Sequence, residues 1–377
     1  MRAVAHTPRD GSTQWHDLST HLHDTARLAS RFATKFQSGE LAYIAGLVHD
    51  IGKYNPAFQR YLHDAHARRE ATSVPHAVYG GLAARDAGLH ALAFTVHGDH
   101  TQMPAPGDLQ NSFRDREIAT TYDVVRAAAK AGGWELNGHL VDPSIFRRDL
   151  DTEMLLRMVF SCLVDADYLD TEAHFDPDRA ALRTPAEHRP SGLLATLIAD
   201  QERIMSGAAG AVNVVRTEVY EACLSAAASD RSVFRLVAPT GAGKTRSALA
   251  FGLAHALRHD HERVIFAVPY LSITDQVAQV ARAIFSAGVV LEHHSGVLTR
   301  EPTDRNRLAT QNWDAPLIVT TTVQLLESLL SSRPSRCRKL HNIARSVIVL
   351  DEVQTLPVRM LQPAVSVLNE LVQRYAC

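Results

Sequence analysis

Residues 41–53 read LAYIAGLVHDIGK. An unbroken apolar run that meets His49-Asp50 and then Ile51-Gly52 is the pattern of a short buried helix that stops there. On a continuing helix, neighbouring side chains point to different sides. Where the helix ends the backbone no longer separates them, and an imidazole and a carboxylate can face one metal ion. That donor pair suits Mn, Fe, Ni, Co or Zn. A carboxylate can also bridge two ions, and a pair of ions can activate a water and stabilise the leaving oxygen of a phosphodiester.

The rest of the first half supplies more donors. Of the 20 histidines, 13 fall within residues 1–174. Candidate ligands follow in chain order: His21 inside LSTHLHDTA, His76 in VPHAVYGG, His97 and His100 in VHGDH, and Asp165 and Asp167 in LVDADYLDTE. A carboxylate on an otherwise apolar helix is costly to bury unless it is paired or binds metal. Three further His-Asp pairs, His16-Asp17, His23-Asp24 and His63-Asp64, are expected to be solvated surface pairs.

Around these residues the pattern is helical. Apolar side chains at Leu18, Leu22, Ala26, Ala29, Phe32 and Phe36 recur near the 3.6 period. Residues 76–97 give two short helical segments broken at Gly88, residues 101–116 a loop, and residues 151–169 another apolar helix. Residues 176–212, with Pro177, Pro185, Pro190, Gly192 and Gly207, read as a linker around one helix near 192–204. From about residue 213 short apolar runs (233–238, 263–268, 317–320, 346–350) alternate with helical ones (244–258, 272–286, 322–331, 358–374). That alternation implies a parallel sheet with helices on both faces.

Residues 233–245, VFRLVAPTGAGKT, give the context of a phosphate-binding loop: strand, glycine loop, then Lys and Thr opening a helix. Thr240, Gly241, Ala242 and Gly243 would form the cradle. Lys244 would reach the β- and γ-phosphates, and Thr245 would offer a hydroxyl to Mg²⁺. In SVIVLDEVQ (346–354) an apolar strand delivers Asp351 and Glu352 to its end, one for Mg²⁺ and the other to orient the attacking water. AVPYLSITDQ (267–276) and IVTTTVQLLESLL (318–330) are similar to helicase segments that grip one nucleic-acid strand by its backbone. HHSG (293–296) is assigned no metal.

Ala-Pro-Thr-Gly at the loop and Asp-Glu-Val-Gln after the strand resemble superfamily 2 helicases. The order of H, then HD, then further His and a distant D resembles the HD phosphohydrolase superfamily. Together with WHDLSTHLHDTA, LVHDIGKYNPAFQRYL, PHAVYGG and LVDADYLDTE, they resemble type I CRISPR-associated nuclease–helicases. The resemblance implies ligand roles for His21, His49, Asp50, His76 and Asp167, and contact of Lys53 with the scissile phosphate. Asp167 is preferred over Asp165 because Ala166-Asp167 is the part that matches. The family commonly has two adjacent histidines where this chain has His97-Gly98-Asp99-His100. Either His100 supplies the second imidazole from a shifted loop, or Asp99 substitutes, or one metal site is weakened; His97 plus His100 is the favoured set.

The expected architecture is an all-α HD-type metal-dependent nuclease domain (1–180), a linker (181–212) and a first RecA-like α/β lobe with a mostly parallel sheet (213–377). The resemblance implies single-stranded DNA as substrate and ATP-driven translocation. It further implies recruitment by the CRISPR surveillance complex, Cascade. Asp50, Lys53 and Glu352 are the expected catalytic residues. The expected cofactors are a divalent transition metal (Mn, Fe, Ni or Co) in the first domain, and ATP with Mg in the lobe. A second lobe is expected to be absent, so unwinding by this chain alone is not expected. Composition bounds the reading: net charge is -2, so DNA binding would use local basic patches. Four cysteines without a C-x-x-C pair suggest neither disulfides nor a cysteine zinc site. No apolar stretch suggests a membrane span or a secretion signal, and the cytoplasm is the expected compartment. Two rivals are an HD phosphohydrolase acting on nucleotides with a regulatory P-loop lobe, and a non-catalytic DNA-binding or recruitment module.

Overall fold

The computed structural model of the chain describes residues 2–136, 141, 146, 149–183, 190–207, 210–230, 233–285, 288–296 and 304–377. It divides into two compact units. One comprises Met1–Leu182 and Ser331–His341; the other comprises Arg183–Leu330 and Asn342–Cys377.

The first unit is helical. A short antiparallel pair, β1 (Val4–His6) and β2 (His16–Asp17), leads into α1 (Leu18–Ala33). Asp17 caps α1 by accepting the Thr20 N–H at 2.9 Å, satisfying one of the unpaired donors of the first turn. Leu18, Leu22, Ala26, Ala29 and Ala33 form the buried stripe of α1. It packs on α2 (Gly39–Val48), which is buried nearly all round, as its continuous apolar sequence requires. The two helices meet at Gly46, where a Cβ would lie 2.4 Å from the Ala26 Cα. Next come α3 (Pro56–His66), α4 (Ala77–Asp86), α5 (Leu92–Gly98), α6 (Pro106–Arg114), α7 (Arg116–Ala131), the long α8 (Asp149–Phe175) and α9 (Pro177–Ala181). Helix α6 lies inside the segment expected to be a loop. Pro106 starts it where a missing N–H costs nothing, and Leu109 buries against the unit.

The second unit starts with α10 (Pro190–Ser206), α11 (Ala211–Ala226) and α12 (Lys244–His259). There follow β3 (Arg263–Val268), α13 (Leu271–Ile284), β4 (Val290–His293), α14 (Asp304–Asn312), β5 (Leu317–Thr321) and α15 (Thr322–Leu330). After α16 (Pro334–Cys337), which belongs to the first unit, come β6 (Ser346–Leu350) and α17 (Val358–Arg374). Its sheet is wholly parallel among the described residues, in the order β4-β5-β3-β6. β3 and β5 are buried at every position, which is why they read as unbroken apolar runs. This is the α/β layering of a RecA-like lobe.

Three expectations change here. Residues 233–238 are not a strand. They run as coil without a ladder partner, with Val233 and Val237 74% and 75% exposed. Helix α10 lies in the expected linker, yet its Leu193 and Leu197 join Leu249, Leu253 and Phe266 in the core of the second unit. Residues 331–341, expected in the lobe, pack in the first unit. Linker residues 184–189 and 208–209 lie outside the described residues.

The Gly46–Ala26 approach leaves no room for a methyl group against backbone. Gly46→Ala is expected to destabilise the first unit by about 2 kcal/mol through overpacking. The control Gly107→Ala, with open space around it, should stay within about 0.5 kcal/mol. Urea unfolding followed by circular dichroism measures both.

Candidate functional site

Helix α2 ends at Val48, and Asp50 takes φ −110, ψ 17 as the chain tightens into the turn Ile51–Tyr54. This break brings two consecutive side chains to one point, with His49 Nε2 3.5 Å from Asp50 Oδ2. Gly52 permits the crossing of the next segment, since a Cβ there would lie 2.1 Å from the His76 carbonyl oxygen. Around the fully buried Asp50 the unit gathers His21 Nε2 at 3.3 Å, His76 Nε2 at 3.5 Å and His100 Nε2 at 3.0 Å. Asp167 on α8 closes the other side, its Oδ1 3.4 Å from His21 Nε2 and 3.6 Å from His49 Nε2. Lys53, one turn after Asp50, places Nζ 2.5 Å from Asp50 Oδ2.

Six of the expected ligands therefore meet: His21, His49, Asp50, His76, His100 and Asp167. His97 does not. It belongs to none of the ligand-spaced groups among the described residues, whereas Asp99 forms one with His100 and Asp167. The chain leaves α5 at Gly98, and the two residues after the helix turn inward. Asp165 also stays out, being paired with Arg338. Sequence reading missed three partners. His16, expected to be solvated, is half-buried and lies 3.5 Å from Asp170. His6 stands 3.3 Å from Lys53 Nζ and 3.0 Å from His16 Nδ1. Asp170 Oδ2 lies 2.6 Å from His21 Nδ1. The one available signal was spacing: Asp167 and Asp170 share a helix face at i, i+3.

The electrostatics follow from burial. It works against charge on Asp50, but Lys53 and His49 outweigh it and hold this carboxyl well below its usual range. Burial likewise opposes protonation of His49 and His100, yet Asp50 raises them to about 10 and about 9. His76 is pushed down to about 4 by burial. Asp99 is pushed up to about 6 by burial and by the charge of Asp167. Three carboxylates thus converge in a dry site and demand positive charge.

A divalent cation fits that demand. His21 Nε2, His49 Nε2 and His76 Nε2 are buried without a hydrogen-bond partner and sit at the cluster. His49 Nδ1 lies 2.7 Å from the Gly46 carbonyl and donates to it, which leaves the Nε2 lone pair for a ligand. Asp170 does the same for His21, the usual outer-shell arrangement of a ligating histidine. The donor-rich group Asp275, Glu292 and His294 of the second unit behaves differently. His294 Nδ1 accepts the Gly296 N–H at 3.1 Å, so a neutral His294 carries its proton on Nε2. It donates that proton toward Glu292 and Asp275, at 3.0 and 3.2 Å.

In the second unit, residues 239–243 form a turn before α12, with Gly241 and Gly243 at φ +83 and +78; these left-handed conformations cost glycine little. Thr240 and Gly241 are exposed, Ala242 is buried, and Lys244 and Thr245 open the helix half-exposed. Asp351 follows β6, its N–H donating to the Ala267 carbonyl at 3.0 Å. Glu352 Oε1 lies 4.0 Å from Lys244 Nζ. The ends of β3 and β5, which carry the 267–276 and 318–330 segments, pair side by side on the same edge of the sheet.

An HD-domain model matches residues 18–125, and a DEAD/DEAH box helicase model matches residues 217–375. The chain is an HD domain joined to a DEAD/DEAH box helicase domain. Its fold is similar to that of T. fusca Cas3, as two of the matching crystal structures illustrate. The ATP complex aligns at 19% identity and TM-score 0.61, the ADP complex at 17% and 0.63. Each alignment covers 98% of this chain and 48% of the other, so the chain spans about half the length of the structures it matches. Among curated proteins none matches the sequence significantly.

Two measurements test the geometry. In Co²⁺ titrations, Asp99→Asn is expected to weaken binding at least about tenfold, the scale for loss of a metal-site partner, while His97→Ala stays within about twofold. A fluorescent ATP analogue should lose at least about tenfold in affinity with Lys244→Ala, the loss of one charge-assisted phosphate contact.

Proposed function

We propose that the chain is part of a CRISPR interference nuclease–helicase whose HD unit cleaves single-stranded DNA. The observation that carries this reading is the convergence of buried, unpartnered imidazole nitrogens on Asp50, beside Lys53, in a chain that also holds a P-loop and a DExx element.

His21, His49, Asp50 and Asp167 would hold one divalent transition metal, and Asp50, His76, Asp99 and His100 a second. When bound, such ions supply a water of lowered pKa and neutralise charge on the phosphodiester. The remaining roles belong to the chain itself. Asp50 is shared between the two donor sets, and its burial excludes competing water. Lys53 puts an ammonium beside them, where a phosphate oxygen would receive it as a point charge. Asp170 and the Gly46 carbonyl fix the ring orientations of His21 and His49. In the lobe, residues 240–245 would cradle the phosphates of ATP, with Lys244 on the β- and γ-phosphates. Asp351 would hold Mg²⁺, and Glu352 would orient the attacking water. The longer protein would feed the strand by ATP-driven translocation after recruitment by Cascade.

Circular single-stranded DNA with Mn²⁺, Ni²⁺ or Co²⁺ and no ATP tests the nuclease. The expected result is conversion of circles to linear and shorter products by the wild type and background cleavage by Asp50→Ala. Intact circles with folded wild-type protein under every metal would reject the nuclease and favour a binding or recruitment module. Turnover of mononucleotides in place of DNA would favour a nucleotide phosphohydrolase.

A further inference from the structure

Asp165 lies two residues before Asp167 on α8, is fully buried, and stays out of the imidazole cluster. Successive helical residues rotate by about 100°, so the two carboxylates leave opposite sides of the helix. Asp165 Oδ1 accepts a hydrogen bond from Arg338 Nε at 2.9 Å, and Arg338 Nη2 stands at ion-pair distance, 2.9 Å from the same oxygen. Arg338 is itself buried, and its guanidinium stacks 4.5 Å from the centroid of the Tyr168 ring. It belongs to Ser331–His341, the strap that packs in the first unit although it lies in sequence between α15 and β6 of the second.

The strap is held along its whole length. Arg157 Nη1 donates to the Ser331 carbonyl at 2.9 Å. Ser161 Oγ donates to the Cys337 carbonyl at 2.6 Å and accepts the His341 N–H at 2.9 Å. Cys337 packs with Phe160, Val164 and Met103 in a small apolar cluster. The Met103 N–H donates to the Ser332 carbonyl at 3.1 Å, three residues after His100. The His341 ring stacks on Phe32 of α1 with centroids 4.7 Å apart. These contacts reach each of the three segments that carry His21, Asp99-His100 and Asp167.

We propose that Ser331–His341 is a positioning element of the metal centre, with Arg338 its principal residue. The proposal rests on the reading of the Asp50 cluster as a metal site. The ion pair fixes α8 on one side while Asp167 projects from the other. Ligand constellations tolerate displacements of about 0.5 Å, so a shift of α8 changes the coordination. The nuclease unit is therefore discontinuous in sequence. Residues 1–182 alone would leave the Asp165 carboxylate buried without its guanidinium.

The test uses the full chain loaded with Co²⁺, reading the visible absorption spectrum of the ion, its affinity by chelator competition, and the fold by circular dichroism. Arg338→Met is expected to change the spectrum and to weaken Co²⁺ binding about tenfold, the scale of outer-shell substitutions. Arg338→Lys should restore part of both. A folded Arg338→Met with the wild-type spectrum and affinity would overturn the proposal. If Arg338→Met does not fold, Ser161→Ala decides, because it removes strap hydrogen bonds without stranding a charge. An altered Co²⁺ spectrum supports the strap's role, and an unchanged one rejects it. Wild-type protein that binds no Co²⁺, or that binds it equally with Asp50→Ala, would instead sink the metal-site reading and the proposal with it.

Discussion

A carboxylate with no exposure to water carries a desolvation cost of several kcal/mol that its neighbours must offset. Asp50 is such a group, and much of the first unit is arranged around it. Lys53 comes from the turn that ends α2, His21 from α1, His76 from the N-terminal end of α4, His100 from the turn after α5. Remove the break at His49-Asp50 and the two donors point to different sides. Substitute Gly52 and the segment carrying His76 cannot approach. Positive charge at this point is a condition of the fold as well as of any chemistry, and a divalent ion would supply what protonated imidazoles otherwise provide.

The second unit solves a different problem with a simpler device. In a parallel sheet every strand delivers its carboxyl end to the same edge. β3, β5 and β6 therefore bring the 267–276 segment, the 318–330 segment and Asp351-Glu352 together without special packing. Glu352, at φ +49, turns the chain sharply after β6, and its carboxylate lies 4.0 Å from the ammonium of Lys244. The glycines at 241 and 243 complete the arrangement from the helix side.

Local pattern carried most of the elements. The apolar runs at 263–268, 317–320 and 346–350 are strands because partners cover both faces, and the runs that follow them are helices. The same pattern at 233–238 produced no strand, since a ladder needs a neighbour and none pairs with it among the described residues. At the candidate metal site, the six side chains that meet around Asp50 were legible from order and local phrase, because a buried His-Asp at a helix end has few other uses. Asp99 was left open beside His97, because the direction of a side chain after a helix end is set by the packing of the loop rather than by spacing. His6 and His16 were invisible for the same reason. Two short strands fold them over α1, and nothing in residues 1–17 announces that contact. The strap at 331–341 was beyond sequence reading altogether, since its partners on α8 lie some 170 residues earlier, at |i−j| of 173 to 180.

The central claim is that the Asp50 cluster would hold divalent metal, with His21, His49 and Asp167 on one side of the carboxylate and His76, Asp99 and His100 on the other. Anomalous X-ray diffraction from crystals grown with Mn²⁺ addresses it most directly. The account predicts two anomalous peaks on either side of Asp50, one among His21, His49 and Asp167, the other among His76, Asp99 and His100. No peak at Asp50, or a peak confined to Asp275, Glu292 and His294, would contradict it.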